Sequence, residues 1–296
     1  KYVKAPDLPT GGIVYGYQGV KSAFETGRGK VVVRGVAYIE PMDNGKDRII
    51  INEIPFQVNK ATLIQKIAEL ENSKKIDGIT DLRDESDRNG MRIVIELRRD
   101  VIPNVILNQL YKYTQLSSSY GVNNIVLVGG RPKLLNLKEM ISCFVDHRHE
   151  VVVRRTKFEL GAAEKKAHIL EGLLIALNNI DAVIALIRKS KNPEEARLGL
   201  MKTFELSEEQ AKAILDMRLQ KLTSLESAKI QDEYDALLKF IERCKEILAS
   251  KDIRMDIIKE ELLEIKEKYG DERKTEIDYA GGDLSIEDMI PDDEVV

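Results

Sequence analysis

The chain has 296 residues, of which 43% are hydrophobic and 32% are charged, and its formal net charge is −4. This length suits one large core or two to three smaller units, and the lack of any uninterrupted apolar stretch near ~18 residues argues against a membrane anchor. The two cysteines, Cys143 and Cys244, lie far apart in helical patterns, which favours free thiols and a cytoplasmic location.

Charge is distributed unevenly along the chain. Residues 1–34 carry six Lys or Arg and two Asp or Glu, whereas residues 277–296 carry seven Asp or Glu and no Lys or Arg. The basic beginning indicates a polyanionic partner, and the acidic end is typical of a disordered connector. The sequence does not begin with Met, so we expect a piece of a longer chain.

The first 135 residues alternate short helical and β patterns. Asn44-Gly45 predicts a tight hairpin turn, and Asn59 is a predicted helix cap. The predicted helices are Gln18–Thr26, Lys60–Asn72 and Pro103–Tyr113, and the predicted strands are Val31–Glu40, Arg48–Ile54, Met91–Leu97 and Asn124–Val128. The pattern indicates an α+β unit over residues 1–135.

Residues 137–189 contain no proline and predict one helix of about fifty residues. Its second half carries the apolar spacing of a coiled coil, at Leu170, Leu173, Leu177, Ile180, Ile184 and Ile187. A second seam runs from about Ser224 to Lys268, and Ser207 with Gln210 predicts a capping box between the two seams. We therefore expect a first coiled-coil helix at 136–190, a helical globule at 191–223, an antiparallel returning helix at 224–270 and an acidic linker at 271–296.

The sequence contains no motif of a self-contained active site. It has no P-loop, no Gly-x-Ser-x-Gly and no His-Glu-x-x-His. His147 and His149 do not share a helix face, which disfavours a metal pair, and the run 83–88 is better explained as a solvated turn of alternating charge than as a metal site. We predict no catalytic and no metal-binding residue in this sequence.

Basic residues form two candidate groups. The first surrounds Gly27-Arg28-Gly29, where a helix C-cap followed by a strand and a phosphate contact are compatible interpretations. The second lies near the beginning of the long helix, where a solvated helix face is equally acceptable. The groups consist of Arg28, Lys30 and Arg34, and of Arg148, Arg154 and Arg155. Two classes of protein remain open. One is a subunit that acts on nucleic acids and whose catalytic parts lie elsewhere, and the other is a non-enzymatic coiled-coil scaffold or nucleic-acid-binding protein.

Several long blocks of sequence carry a more specific signal. They include Pro-Asp-Leu-Pro-Thr-Gly-Gly at 6–12, Thr-Gly-Arg-Gly-Lys at 26–30, Glu-Ile-Pro-Phe-Gln-Val-Asn-Lys at 53–60, Leu-Arg-Asp-Glu-Ser-Asp-Arg at 82–88, His-Ile-Leu-Glu-Gly-Leu at 168–173 and Gln-Ala-Lys-Ala-Ile-Leu-Asp-Met-Arg-Leu at 210–219. In this order, over about residues 5–277, they resemble the A subunits of bacterial type IIA topoisomerases, those of the DNA gyrase branch more than those of topoisomerase IV.

This resemblance implies an α/β tower followed by an antiparallel two-helix coiled coil with a small helical globule at its tip. It implies an enzyme that passes one DNA duplex through a transient double-strand break in another, driven by ATP. The family's nucleophilic tyrosine lies in a winged-helix domain, and we expect this chain to lack that domain and the C-terminal DNA-wrapping domain. The implied partners are double-stranded DNA, a second copy at the exit gate, and the family's B subunit, which holds the Mg²⁺ and ATP, so that this chain binds no cofactor itself.

The resemblance also implies roles for individual residues. The family's tower bends DNA and inserts an apolar side chain between bases, and the matching position is Val14, with Ile13 beside it. Helices around residues 207–222 match the exit gate. The candidate DNA-binding residues are Val14, Ile13, Arg28, Lys30, Arg34, Arg148, Arg154 and Arg155, and the candidate dimer-interface residues are Leu215, Met217 and Leu219.

Overall fold

The computed structural model describes residues 2–43, 45–218, 224–282 and 288. The chain divides into two compact units. The first consists of Lys1–Cys143 and Asp271–Val296, and the second consists of Phe144–Gly270. The mixed α+β fold with a long helix agrees with the fold class predicted from the sequence.

The first unit combines short helices with strands. Its helices are α1 (Gln18–Thr26), α2 (Lys60–Asn72) and α3 (Pro103–Tyr113), and its strands are β1 (Ile13–Tyr15), β2 (Arg28–Arg34), β3 (Val36–Pro41), β4 (Asp47–Glu53), β5 (Ile79–Asp84), β6 (Ile93–Leu97), β7 (Ser117–Asn123), β8 (Ile125–Val128), β9 (Arg131–Leu134) and β10 (Glu276–Asp278). The strands form three sheets, with the orders β10-β1-β2-β7, β3-β4-β6-β5 and β8-β9.

The predicted strand Val31–Glu40 is two strands in two different sheets. β2 pairs with β1 and β7 in the first sheet, and β3 pairs with β4 in the second. Gly35 separates them, and a Cβ atom on Gly35 would lie 2.5 Å from the carbonyl oxygen of Glu53. The chain therefore changes sheet at a position where the backbone approaches its neighbour too closely for a side chain.

The main core of the first unit lies between the second sheet and helices α2 and α3. Side chains alternate between the two faces of a strand, and they return to the same face of a helix every three to four residues. Each of these elements therefore has one apolar face, and these faces pack together in one buried cluster. Its largest fully buried members are Ile49, Ile51, Leu63, Ile67, Ile76, Ile93, Ile95, Leu97, Leu110 and Leu116. The Asn59 side chain accepts a hydrogen bond from the Thr62 amide at 3.0 Å, which confirms the predicted cap of α2.

A smaller core lies beneath the first sheet. It consists of Ala5, Val14, Val20, Val31 and Val33. β10 adds to this sheet at its edge, in parallel pairing with β1. The linker predicted at 271–296 therefore contains a strand, which the acidic composition concealed.

The second unit is entirely helical in its regular elements among the residues described. Helix α4 (Leu137–Asn178) begins in the first unit and continues into the second, and it is followed by α5 (Ile180–Lys189), α6 (Pro193–Phe204), α7 (Glu208–Leu215), α8 (Ser224–Ala249) and α9 (Lys251–Tyr269). In this described part, no single helix is long and apolar enough to cross a membrane, although α4 and α5 taken together satisfy the same length and composition test.

The long helix predicted at 137–189 is broken at Asn179, where α4 and α5 meet at a bend of 90°. Asn179 has φ −123° and ψ 33°, and its side-chain amide donates to the carbonyl oxygen of Ile175 at 2.9 Å. An asparagine side chain that bonds to the backbone competes with the helical hydrogen bonds. The apolar seam that continues through Ile180 does not reveal this break.

The returning helix predicted at 224–270 is also broken, at Ser250. The Ser250 hydroxyl accepts a 3.4 Å hydrogen bond from the amide of Ile253 and caps α9. Arg254 donates from Nη1 to the carbonyl oxygens of Ile247 and Leu248, at 2.7 and 2.6 Å. Two of the last carbonyls of α8 thereby receive the hydrogen bonds that they lack at a helix end.

Ion pairs confirm that α4 runs antiparallel to α8 and α9. Along α4, Arg148 pairs with Glu261, whereas Glu164 pairs with Lys245. The partner number falls as the number on α4 rises, as antiparallel packing requires. The apolar seam between them includes Ala163, Ala167 and Ile241, and small alanines on one side allow close helix approach.

Candidate nucleic-acid interface

Strand β2 has one apolar and one basic face. Val31 and Val33 point into the core and are 2% and 3% exposed, because successive side chains of a strand alternate between its faces. Arg28 and Lys30 occupy the opposite parity and are exposed, and Arg34 is partly buried. Neither Arg28 nor Lys30 forms an ion pair within the described ranges, so their charges are available to an external anion.

The glycines around Arg28 have structural roles. Gly27 ends α1 with φ 78°, in the left-handed region that glycine favours. A Cβ atom on Gly29 would lie 2.4 Å from the carbonyl oxygen of Gly19, in α1. The interpretation of Gly27-Arg28-Gly29 as a helix C-cap followed by a strand is therefore confirmed, and the glycines bring the basic strand close against the helix.

Arg34 has different surroundings from Arg28 and Lys30. Its guanidinium carbon lies 3.3 Å from the centroid of the Tyr15 ring and 4.8 Å from that of Tyr111. Its Nε atom is buried and has no hydrogen-bond partner among the described residues. Cation–π contacts hold the side chain in place without neutralising its charge.

The insertion of Val14 between DNA bases stays a prediction, and the structure places this side chain in a core. Val14 is fully buried in the small core of the first unit, against Val20, Val31 and Val33. A side chain that already packs in a core has no free surface to offer a base step, and its withdrawal would leave a cavity. Ile13, the neighbouring candidate, is partly buried.

Two members of the second basic group bind an acid of the same unit. Arg148 and Arg155 donate from Nη2 to the two carboxylate oxygens of Glu261, at 2.6 and 2.7 Å. Hydrogen bonds from Arg155 and then Arg148, opposed by some burial, lower the pKa of the Glu261 carboxyl. These two arginines therefore join α4 to α9, a role that the sequence alone did not indicate.

Arg154 is the exposed member of this group. Its Nε atom lies 3.6 Å from Oε1 of Glu150 on the same helix, and both side chains are more than 60% exposed. Such a pair contributes little to stability. Arg154 thus agrees with a solvated helix face and stays available for an external contact.

The candidate dimer-interface residues occupy the helical part of the second unit. Leu215 and Met217 are partly buried against its main apolar cluster, whereas Leu219 lies outside the described residues. The capping box at Ser207 and Gln210 is confirmed. Gln210 also donates from Nε2 to the carbonyl oxygen of His168 at 2.8 Å, so the motifs at 168–173 and 210–219 meet at one point between α4 and α7.

The charged run 83–88 lies in a network of ion pairs. Arg83 pairs with Asp81, Glu85 and Glu96. Lys60 lies 2.7 Å from Asp84 and holds the pKa of that carboxyl at about 2. In the part of the chain that the structure describes, no cluster of three or more His, Cys, Asp or Glu side chains has a geometry that could hold a metal ion.

Three structural contacts were not predicted from the sequence. They involve Glu261, Arg254 and Arg273. Each is a charged residue in a segment rich in charged residues. In such a segment the spacing of residues in the sequence does not show whether a charged side chain is solvated or pairs with a residue distant in sequence. A search for charge complementarity between the two predicted antiparallel helices would have found Glu261.

The structure thus combines an α+β unit that carries a basic strand with an antiparallel helical arm. The chain belongs to the family of DNA gyrase and topoisomerase IV A subunits, whose family model matches residues 1–263.

Individual relatives agree with this assignment. The chain is 57% identical over 296 residues to the DNA gyrase A subunit of Halalkalibacterium halodurans, covering 100% of this chain and 35% of the relative. It is 55% identical over 294 residues to that of Clostridium acetobutylicum, covering 99% and 35%, and 51% identical over 296 residues to that of Staphylococcus aureus, covering 99% and 33%. The chain thus spans about a third of the length of these relatives.

Proposed function

We propose that this chain is part of the A subunit of a gyrase-type DNA topoisomerase in the bacterial cytoplasm. Such an enzyme passes one duplex through a transient double-strand break in another. Family membership and more than 50% identity to gyrase A subunits support this function. The observation that supports a DNA-binding role for this chain is the basic face of β2, where Arg28 and Lys30 are exposed and form no ion pair within the described ranges.

In this proposal Arg28 and Lys30 contact phosphates of a bound duplex. They project from a strand that pairs with β7 along its whole length, so their backbone positions are fixed before DNA arrives, and little backbone entropy is lost on binding. Phosphate contacts of this kind position a protein on DNA without reading its sequence. Arg154 is a further candidate contact, whereas Arg148 and Arg155 act inside the helical arm.

We assign roles to segments accordingly. Residues 1–135 form the DNA-facing tower, 136–190 and 224–270 the two sides of the arm, 191–223 a dimerisation gate and 271–296 the connection that follows. The gate contact, with candidates Leu215 and Met217, makes the chain a homodimer. ATP and Mg²⁺ belong to the B subunits of an A₂B₂ assembly, and no residue of this chain is assigned to DNA cleavage.

The proposal is tested by the salt dependence of duplex binding. We expect Arg28→Ala with Lys30→Ala to weaken binding of a duplex of about 30 base pairs at least tenfold near 100 mM salt. The slope of log K against log salt should fall by about 2, because each lost phosphate contact removes close to one unit. The matched control is Lys239→Ala with Lys259→Ala, which removes the same charge from exposed positions of the second unit.

Equal affinities and slopes for the two double variants would contradict the assignment to β2. That result would favour the alternative, a coiled-coil scaffold whose basic strand is incidental. Sedimentation equilibrium tests the gate independently, since a monomer at tens of micromolar is incompatible with it.

A further inference from the structure

The first unit contains an open cavity of about 780 Å³ beside the basic face of β2. Lys30 and Arg34 line it from β2, Tyr111 and Lys112 from α3, and Tyr15 from β1. Its lining, as far as the structure describes the chain, includes no Asp or Glu. Three cations therefore share one cavity, and no carboxylate is among its described lining residues.

Arg34 is the most constrained of these cations. The Tyr15 ring covers one face of its guanidinium at 3.3 Å, and Tyr111 lies on another side at 4.8 Å. Tyr111 is itself fixed, because its hydroxyl donates to the carbonyl oxygen of Gly35 at 3.0 Å. Contacts with two aromatic rings restrict the guanidinium, and its Nε donor is buried without a partner among the described residues.

None of the three cations forms an ion pair with any residue in the described ranges. Elsewhere in the same unit, arginines at comparable exposure are paired, as Arg83 and Arg92 are with several carboxylates each. Concentrating unpaired positive charge in a recess has an electrostatic cost that a bound anion would remove. Arg34 differs in this respect from the other partly buried arginines described in the unit, which are Arg48, Arg83, Arg92 and Arg98.

The other polar groups of the cavity suit an oxyanion. Ser117, which is paired with Arg34 across β2 and β7, contributes a hydroxyl group to the lining. Gln18 and Gly19 of the first turn of α1 also line the cavity, and this nine-residue helix has no side-chain cap and no acid in its first turn. Its free amides carry partial positive charge. A guanidinium edge, ammonium groups, a hydroxyl and amides together match the tetrahedral oxygens of a phosphoryl group.

We propose that this cavity is a binding site for a phosphoryl group. The group belongs either to a small free anion that enters the cavity or to the backbone of a bound duplex. Binding of a small free anion is inferred from the cavity alone. Binding of a phosphate of the duplex rests on the proposed function. A free anion held at Lys30 would compete with DNA for a cation of the proposed interface, so ligand binding here would regulate DNA affinity.

The first experiment is a calorimetric titration of the whole chain with pyrophosphate, without DNA. We expect one site per chain, weakened at least tenfold by Arg34→Ala and by Lys112→Ala. Arg34→Ala removes a side chain that packs against two rings and could unfold the unit. Lys112 is exposed on α3, so we expect Lys112→Ala to fold and to test the site independently. Arg131→Ala and Lys133→Ala on β9 are the matched controls, and they should bind pyrophosphate as the unmodified chain does.

The second experiment adds a short duplex. Displacement of the duplex by pyrophosphate identifies competition for one site, and simultaneous binding identifies a separate small-anion site. Absence of pyrophosphate binding together with a tenfold loss of duplex affinity in Lys112→Ala assigns the cavity to the DNA backbone. The proposal is overturned if pyrophosphate binds the unmodified chain and binds Lys112→Ala as tightly as Lys133→Ala, or if neither ligand responds to Arg34→Ala and Lys112→Ala. A chain that binds pyrophosphate but no DNA refutes the proposed function alone.

Discussion

The backbone amide of Thr275 donates a 2.9 Å hydrogen bond to the Asp7 carboxylate, across 268 residues of sequence. Arg273 reinforces this contact by donating from Nη1 to the carbonyl oxygen of Ala5, also at 2.9 Å. The strand that follows then pairs with β1. The helical unit is therefore an insertion whose two ends are both anchored in the α+β unit, and the returning end is held by polar contacts together with the pairing of β10 and β1.

Replacing Asp7 with Ala should release this anchor. The amides of Lys274 and Thr275 both lose an acceptor, and we expect faster hydrogen exchange at 276–278 and a melting temperature lower by several degrees for the first unit. Asp43→Ala is the control, because Asp43 is an exposed hairpin residue. Unchanged exchange in β10 would show that strand pairing alone holds the segment.

The carboxyl group of Asp84 should titrate with a pKa of about 2, below the ordinary value of 3.8, because Lys60 and then Ser86 donate hydrogen bonds to it. A lowered pKa in the folded state means that the ionised form stabilises the fold above pH 3.8, and that this contribution is lost as the pH falls through about 2. Carbon-detected NMR titration measures it. Lys60→Met should raise the pKa of Asp84, and an unchanged value would exclude Lys60 as the cause.

The sequence predicted local structure well where the pattern and the packing agree. The hairpin of β3 and β4, the cap at Asn59 and the capping box at Ser207 depend on neighbours in sequence, so spacing was sufficient. It failed where a contact with a distant residue decides the outcome. β7 begins with three serines and reads as a loop, yet it forms seven pairs with β2, because tertiary pairing overrides strand propensity.

The candidate site was predicted from the sequence only in part. The basic face of β2 follows from alternation, because side chains two residues apart share a face. The burial of Val14 and the pairing of Arg148 with Glu261 depend on elements distant in sequence. The break at Asn179 was hidden since the apolar seam continues across it, and a single side-chain hydrogen bond decides the backbone path there.

Gly19→Ala and Gly161→Ala should have opposite effects on stability, although both replace a helical glycine. A Cβ atom on Gly19 would lie 1.9 Å from the carbonyl oxygen of Lys30, whereas one on Gly161 meets nothing within 4 Å. We expect Gly19→Ala to destabilise the first unit by about 3 kcal/mol through overpacking. Gly161→Ala should stabilise the second unit by roughly 0.5–1 kcal/mol through helix propensity. Urea unfolding of both variants measures the difference, and equal signs would contradict the close approach of α1 to β2.

Arg155→Ala and Arg154→Ala should separate the two roles in the second basic group. Arg155 shares Glu261 with Arg148, and because the pair is partly exposed we expect a loss of only about 1 kcal/mol, smaller at high salt. Arg154→Ala should change stability by less than about 0.5 kcal/mol. If Arg154 contacts phosphate, its variant alone weakens duplex binding. A stability loss in Arg154→Ala that exceeds the one in Arg155→Ala would contradict the pairing with Glu261.

Val14→Ala should act on folding and not on DNA bending. Removing buried methyl groups from the small core should cost about 2 kcal/mol. Because the side chain faces Val20 and Val33 rather than a ligand, duplex affinity and the bend angle measured by fluorescence energy transfer should stay unchanged below the melting temperature. Ile13→Ala, at a partly buried neighbour on the other face of β1, is the matched control and should cost less. A reduced bend angle in Val14→Ala with an unchanged melting temperature would support the insertion hypothesis. Only a side chain that leaves the core on DNA binding could produce that combination.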